Sequence, residues 1–257
     1  MCYNVKASLE AQLKRAKEQG DSEMIAQLRE QMKKYEVENY YHTNGFEHKP
    51  FLIYEAEEPV IANWGLIPHW SKSRTEAEEI RNRTLNARGE SIWEKPAFRD
   101  SADNSRCLLC VDGFYEYHHF KKNNYPFYIE PNNHSGLTFG GLSSKWVDQT
   151  TGEIFHSFSI VTTLGNKLLS KLHNNPKLKE PRMPLILNRE EQEIWLHDTE
   201  ASKKLIHPHE IELDVHTVEK LSGNQYKGNV PEVSKEKIYV ELEFEGVYEP
   251  PEDLTLF

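Results

Sequence analysis

The stretch that most constrains the fold is Cys107-Leu108-Leu109-Cys110-Val111, an unbroken apolar run that ends on Asp112-Gly113 and gives way to Phe114-Tyr115-Glu116-Tyr117. A short apolar run bounded by turn residues reads as a buried strand, and the Asp-Gly step favours a turn before strand pattern resumes. Phe51–Tyr54, Val60–Trp64, Phe127–Ile129, Leu137–Phe139, Phe158–Thr163 and Met183–Leu187 are strand-like runs of the same kind. Between them Asn44-Gly45, Gly65 and Pro68 mark turns. Helical pattern falls at 73–83, Gly165–Leu172, Glu190–Leu196 and Ala201–Ile206. Strands that do not alternate regularly with helices specify an α+β fold and argue against a doubly wound sheet.

Residues 5–36 read differently. Leu9, Leu13 and Ala16, then Met24, Leu28 and Met32, recur at helical spacing, and Gly20-Asp21-Ser22 supplies a C-cap followed by an N-cap. The expectation is a helical hairpin over 5–36 packed on its own domain and tethering the N-terminus, with a partner-binding module as the alternative. One compact domain is expected over 1–235, followed by an acidic tail, 236–257, whose last ~15 residues are loosely held. The formal net charge of −10 gives no whole-chain footprint for a polyanion, so a nucleic-acid surface has to be a local basic patch. No run reaches the ~18 apolar residues of a membrane span, and no basic-then-apolar signal region opens the chain. Three cysteines are too few for a disulfide framework. A cytoplasmic, monomeric protein without membrane attachment is expected.

The chemistry begins at Cys2. Initiator methionine is normally trimmed before a side chain this small, which leaves a free α-amine beside a thiol, a 1,2-aminothiol that closes on an aldehyde as a thiazolidine. The unperturbed amine titrates at about 7.7–8.0 and the thiol at about 8.5, so a fraction of each is nucleophilic near neutrality. Such a site needs partners and no cofactor or metal. Glu116, among aromatic side chains after a buried strand, should be desolvated and raised in pKa, suiting a general acid/base; a solvated strand carboxylate is the alternative. His173, where a helix enters a loop, is expected to be exposed with a near-neutral pKa. Asn86-Ala87-Arg88 follows Arg81 and Arg83 and offers an amide and a guanidinium to phosphate oxygens, or a structural ion pair. Trp64 and Trp70 flank a Gly/Pro turn as core residues, or Trp70 is a stacking platform for a base. Cys107 and Cys110 have metal-ligand spacing, but no second pair answers them and strand geometry points them to opposite faces.

In order along the chain, Met1-Cys2, Trp64–Trp70 (WGLIPHW), Leu85–Glu90 (LNARGE), Val111–Tyr117 (VDGFYEY), Ser159–Thr163 (SIVTT), Leu172–Pro176 (LHNNP) and Pro181–Leu187 (PRMPLIL) together resemble the SRAP family, the SOS response-associated peptidases that sense abasic sites in DNA. The resemblance implies a compact domain with a twisted, largely antiparallel β-core flanked by helices. It implies covalent capture of abasic sites in single-stranded DNA through Cys2, with AP-lyase and self-cleaving peptidase activity as further family properties. By that likeness Asn86 would bond near the Cys2 amine and the sugar, Glu116 would relay protons and His173 would assist as acid/base. Arg88 would hold the phosphate backbone and Arg182 would add a contact, with Trp64, Trp70, Thr162 and Arg81 along the DNA groove. An N-terminal-cysteine amidohydrolase and a non-covalent DNA-junction module remain as rival readings. The chain also departs from the family pattern. Tyr3-Asn4 stand where many relatives have Gly-Arg, the stretch Asn174–Pro181 separates His173 from Arg182, and Asn44-Gly45-Phe46 replaces a proline that wedges at the duplex junction. The basic residues Arg81, Arg83, Arg88 and Lys145 must share a face to offset the acidic surface.

Overall fold

The computed structural model describes residues 2–242. In chain order its strands are β1 (Asn4–Ala7), β2 (Tyr40–Asn44), β3 (Pro50–Tyr54), β4 (Pro59–Trp64), β5 (Asn86–Arg88), β6 (Arg106–Val111), β7 (Gly113–Phe120), β8 (Asn123–Pro131), β9 (Leu137–Val147), β10 (Ile154–Leu164), β11 (Arg182–Pro184) and β12 (Leu213–Thr217). Its α-helices are α1 (Leu9–Gln12), α2 (Lys14–Gln19), α3 (Ser22–Lys34), α4 (Arg74–Arg81), α5 (Arg99–Asn104), α6 (Lys167–Leu172), α7 (Arg189–His197) and α8 (Thr199–Lys203). The α+β reading holds.

The strands form two layers. In one, β10, β4, β3, β6 and β9 pair in turn and β9 closes back on β10, so the sheet is a barrel, with β5 and β11 attached to β10. Closure removes the exposed edges of an open sheet. The other layer is an antiparallel sheet in the order β12-β8-β7-β1-β2. Only the pairings of β10 with β4 and with β5 are parallel. Phe51, Phe139, Phe158 and Trp195 are among the large, fully buried side chains of the core against which the barrel strands pack.

Every residue of β6 is buried, as the apolar run requires. The Asp112-Gly113 step is not a hairpin, however. It carries the chain from barrel strand β6 into β7 of the other sheet, because Asp112 N–H bonds to Lys6 O at 2.9 Å and its carboxylate accepts from Ser8 N–H at 2.5 Å and Ser8 Oγ–H at 3.0 Å. Ser8 in turn caps α1 by accepting from Ala11 N–H. The crossing also needs Gly113, where an added Cβ would lie 2.4 Å from Ile129 O and 2.7 Å from Tyr128 Oη.

The N-terminal expectation needs correction. Residues 5–7 belong to β1, so the hairpin starts at Leu9, and it is β1 between β7 and β2 that holds the N-terminus to the body. The hairpin turn follows its sequence signals: Gly20 takes the left-handed conformation at φ 78°, and Asp21 caps α3 through Met24 N–H at 2.9 Å. At the other end, packing does not stop at 235. Lys237 N–H bonds to Thr217 O, Tyr239 packs edge-on against Tyr125, and Leu242 is 5% exposed. The rest of the expected tail, 243–257, lies outside the described residues. None of the described helices is long and apolar enough to cross a membrane.

Gly113→Ala is expected to lower stability by about 1–3 kcal/mol, since the new methyl meets a backbone carbonyl that cannot move without shifting β8. An unchanged urea midpoint would show that the crossing tolerates a side chain.

Candidate active site

Three segments meet along one edge of β7. β1 pairs with that edge through Lys6↔Gly113, Val5↔Phe114 and Asn4↔Tyr115 and then ends, so Tyr3 and Cys2 run on past it. Cys2 is fully buried, its thiol 3.9 Å from Asn4 O. Glu116, the next residue on β7, is 7% exposed, and its Oε2 lies 3.5 Å from His173 Nδ1 at the end of α6. Tyr3, Glu116, His119 and His173 line a cleft of about 730 Å³ together with Phe46 and Tyr226.

Burial sets the protonation states. It pushes the Glu116 carboxyl up to about 7, although its Oε1 accepts from Tyr117 N–H at 3.1 Å. Burial also brings His173 down to about 4, against the hydrogen bond to Arg182 O. Between those values both groups are neutral, so the 3.5 Å contact is an acid beside an imidazole and not an ion pair. The expected desolvation of Glu116 is present. The expected exposure of His173 is not: it is 4% exposed, because α6 and β11 cover it. The Cys2 thiol is raised by burial and further by the Glu116 charge, so it is held as the thiol.

The stretch separating His173 from Arg182 folds back on itself. His173 Nδ1 meets Arg182 O at 3.1 Å and Arg182 N at 3.4 Å, which restores their adjacency. The Arg182 side chain is not free for phosphate. Its fork binds both Glu90 oxygens at 2.9 and 2.8 Å and Thr162 O at 2.7 Å, and the residue is 4% exposed. Thr162 is fully buried. Trp64 is a core residue that donates to Leu85 O at 2.8 Å and stacks on Phe158. Arg81 is largely buried and paired with Glu78 at 3.3 Å. None of these four presents a surface to DNA.

Trp70, 42% exposed, behaves differently. With Arg83, Asn86, Arg88, Lys95 and Phe98 it lines a second hollow of about 490 Å³, whose floor is apolar and whose rim is cationic. Lys145 is not part of it. Both amide atoms of Asn86 are buried there without a hydrogen-bond partner, so the structure does not join Asn86 to Cys2. An unpaired buried amide costs about 1–3 kcal/mol, a penalty that a ligand oxygen or donor would relieve. The two hollows are related: burial raises the Tyr3 hydroxyl while the Arg88 charge pulls it back. Phe46, 55% exposed, stacks on Tyr3 with ring centroids 5.6 Å apart.

The wall beside Cys2 has no signature along the chain. Asn4 accepts from Asn44 Nδ2 at 3.0 Å and meets His42 Nε2 at 3.0 Å. Burial lowers His42 to about 4. Neutral His42 therefore carries its proton on Nε2, and Nδ1 accepts from the Tyr226 hydroxyl at 2.8 Å. These partners are far apart in sequence, and no local pattern connects them. Cys107 and Cys110 are core residues with thiols raised by burial.

Fold and site define an α+β barrel protein built around a near-terminal cysteine that is packed against a buried carboxyl and imidazole. Within that class the chain belongs to the SOS response associated peptidase (SRAP) family, whose model matches residues 1–225. It is 32% identical over 176 residues to the abasic site processing protein YoqW of Bacillus subtilis (strain 168), covering 66% of this chain and 73% of that protein. It is 29% identical over 203 residues to the abasic site processing protein HMCES of Xenopus tropicalis, covering 69% of this chain and 58% of that longer protein. A crystal structure of a Bacteroides thetaiotaomicron protein superposes with a TM-score of 0.79 at 31% identity, over 92% of this chain and all of the other.

Opposed pH dependences follow from the buried pair. Glu116 holds its proton more tightly folded than unfolded, so its contribution to stability is full below about 4.5 and is lost as pH rises through about 7. His173 contributes above about 6.5 and loses that contribution as pH falls through about 4. Glu116→Gln removes the first and leaves the second. Urea-melt stability of the variant should rise more steeply from pH 4.5 to 7 than that of the parent protein, and parallel curves would refute the assignment.

Proposed function

We propose that this protein captures abasic sites in single-stranded DNA by forming a thiazolidine between Cys2 and the sugar aldehyde. The observation that carries the reading is a buried cysteine next to a carboxyl group whose pKa is brought to about 7. After loss of Met1, the Cys2 α-amine adds to the aldehyde carbon and gives a carbinolamine. Glu116, as the acid, protonates the departing hydroxyl; water leaves and an iminium forms. The Glu116 carboxylate then takes the thiol proton as Sγ attacks the iminium carbon, which closes the ring and regenerates the acid. The net change is aminothiol plus aldehyde to thiazolidine plus water. A thiol kept protonated by burial suits this order, amine first and sulfur second, because a proton acceptor appears beside it only after water has left.

The second hollow suits the flanking strand. Arg83, Arg88 and Lys95 offer charge to phosphates, Trp70 a face for stacking, and the unpaired Asn86 amide a contact to sugar or phosphate oxygen. The names of the relatives agree with this reading. The family description as a peptidase keeps an amidohydrolase reading in view, and borohydride separates the two: an aldehyde-reactive amine gives a reducible imine with abasic DNA, whereas an amidase or a passive binder does not.

Cys2→Ala is expected to abolish the heat-stable adduct while leaving single-strand binding nearly intact, as measured by intact mass spectrometry and anisotropy. A heat-stable crosslink from that variant would refute the mechanism. Arg88→Ala should weaken binding to all sequences alike and reduce the salt slope of binding by about 0.7. Unchanged affinity and slope would make Arg88 a structural residue.

A further inference from the structure

Beyond Cys2 the β7 edge is used once more. At His119 the side chain of Asn174 takes it over: Oδ1 accepts His119 N–H at 2.6 Å and Nδ2 donates to His119 O at 2.8 Å. A planar carboxamide bonded in this way reproduces the two-bond exchange of an antiparallel residue pair. The preceding residue on β7 is tied to the same segment, since His118 Nδ1–H donates to Leu172 O at 3.0 Å. Leu172 and Asn174, the neighbours of His173 on both sides, are thus stitched to consecutive residues of β7.

We infer that Asn174 is a positioning residue, whose side-chain clamp on the His119 backbone holds the His173 imidazole against Glu116, the acid and base of adduct formation. The inference rests on the proposed capture chemistry. The geometry explains why a clamp is needed there. The helix α6 ends at Leu172, and the chain then leaves in a loop, Asn174–Pro181, that belongs to no strand before it returns at Arg182. The backbone of Arg182 orients the imidazole from one side, and Asn174, the first residue of the loop, ties the loop to the β7 backbone on the other. Asn174 itself is exposed, where hydrogen bonds compete with water and contribute little net stability, so its effect is on placement. The titratable groups around the imidazole are the N-terminal amine, whose charge lowers it further, Glu116, His118 and His119 on β7, Cys2 beyond Glu116, and Lys177 in the loop, while the Arg182 guanidinium is held by Glu90.

Asn174→Ala and Asn174→Asp test the inference in the full-length protein. For the alanine variant the rate of crosslinking to an abasic single-stranded oligonucleotide should fall by up to about 10²-fold, with single-strand affinity and thermal midpoint unchanged. Asn174→Asp keeps the acceptor for His119 N–H but sets an anionic oxygen against His119 O. Its rate relative to wild type at the same pH should recover as the pH is lowered and the new carboxyl gains a donating O–H, which the alanine variant cannot do. NMR titration of the His173 ring, without DNA, gives a readout independent of capture. In Asn174→Ala the ring should titrate closer to its ordinary 6.5 as it loosens into solvent. Wild-type rates and an unshifted His173 titration in the alanine variant would overturn the inference. So would a loss of rate that follows a loss of thermal stability in both variants without recovery at low pH. Absence of any adduct with the wild-type protein would instead refute capture, and the NMR comparison would still decide whether Asn174 places His173.

Discussion

The pairing of β1 with β7 is the contact on which the site depends. It places the first residues of the chain in the middle of a five-stranded sheet, a position in which the backbone groups of β1 are paired with β7 on one side and β2 on the other. Because the partners Asn4↔Tyr115 are in register, the residue that follows Tyr115 and the residues that precede Asn4 come together without further instruction. A one-residue slip would turn the side chains of the strand to the other face and separate Cys2 from Glu116. The register is fixed from both ends: by the Asp112 carboxylate on Ser8 at one, and by Asn4 bonded to His42 and Asn44 at the other.

The same burial that orders the site decides its charges. A desolvated carboxylate facing a desolvated imidazolium would need strong compensation, and an ion pair in that place often fails to recover its desolvation. Here the pair is neutral between about 4 and about 7, so the fold avoids that cost over this range and holds the Glu116 proton up toward neutrality. This is also the condition for general acid catalysis, in which a pKa near the working pH balances the supply of acid against its strength. Buried guanidinium groups elsewhere are held by acceptors: the two terminal nitrogens of Arg182 meet the two Glu90 oxygens, and Arg106 donates to the carbonyls of Trp195 and Ala102.

Local pattern made much of the fold legible. The β6 run, the capped turn at Gly20-Asp21 and the strand runs of β3, β4 and β10 all follow from side-chain periodicity and punctuation, properties of neighbouring residues. What periodicity does not carry is the partner of each strand. Asp112-Gly113 has the signature of a tight turn, yet its residues are recruited by Lys6 and Ser8, more than a hundred positions earlier, into a crossing between sheets. Val5 and Ala7 stand next to a helical stripe that starts at Leu9, and only the pairing of their backbone with neighbouring strands separates them from it. Within the site, Glu116 could be placed because its aromatic neighbours announce desolvation. Trp64, Thr162 and Arg182 could not, since whether such side chains face a groove or the interior is set by the closing of the barrel around β10. The family likeness supplied residue identities, and burial then sorted them.

β10 is where the two hollows become one device. Along it Thr162 pairs with Arg88 of β5 on one side and with Pro184 of β11 on the other. The first pairing holds Arg88 and Asn86 at the cationic hollow; the second brings Arg182, and through its backbone His173, to the cleft. The Arg182 fork closes the arrangement by binding Thr162 O and the Glu90 carboxylate, which follows Arg88 by two residues. A guanidinium that the family likeness would turn toward DNA thus acts inside the protein as a staple between the segment that follows Arg88 and the strand whose backbone meets the imidazole. Arg182 is buried while Glu90 reaches solvent, so the staple is held from inside by Thr162 O and from outside by a carboxylate that water partly screens, and the relative placement of the two hollows rests on strand pairing as much as on charge.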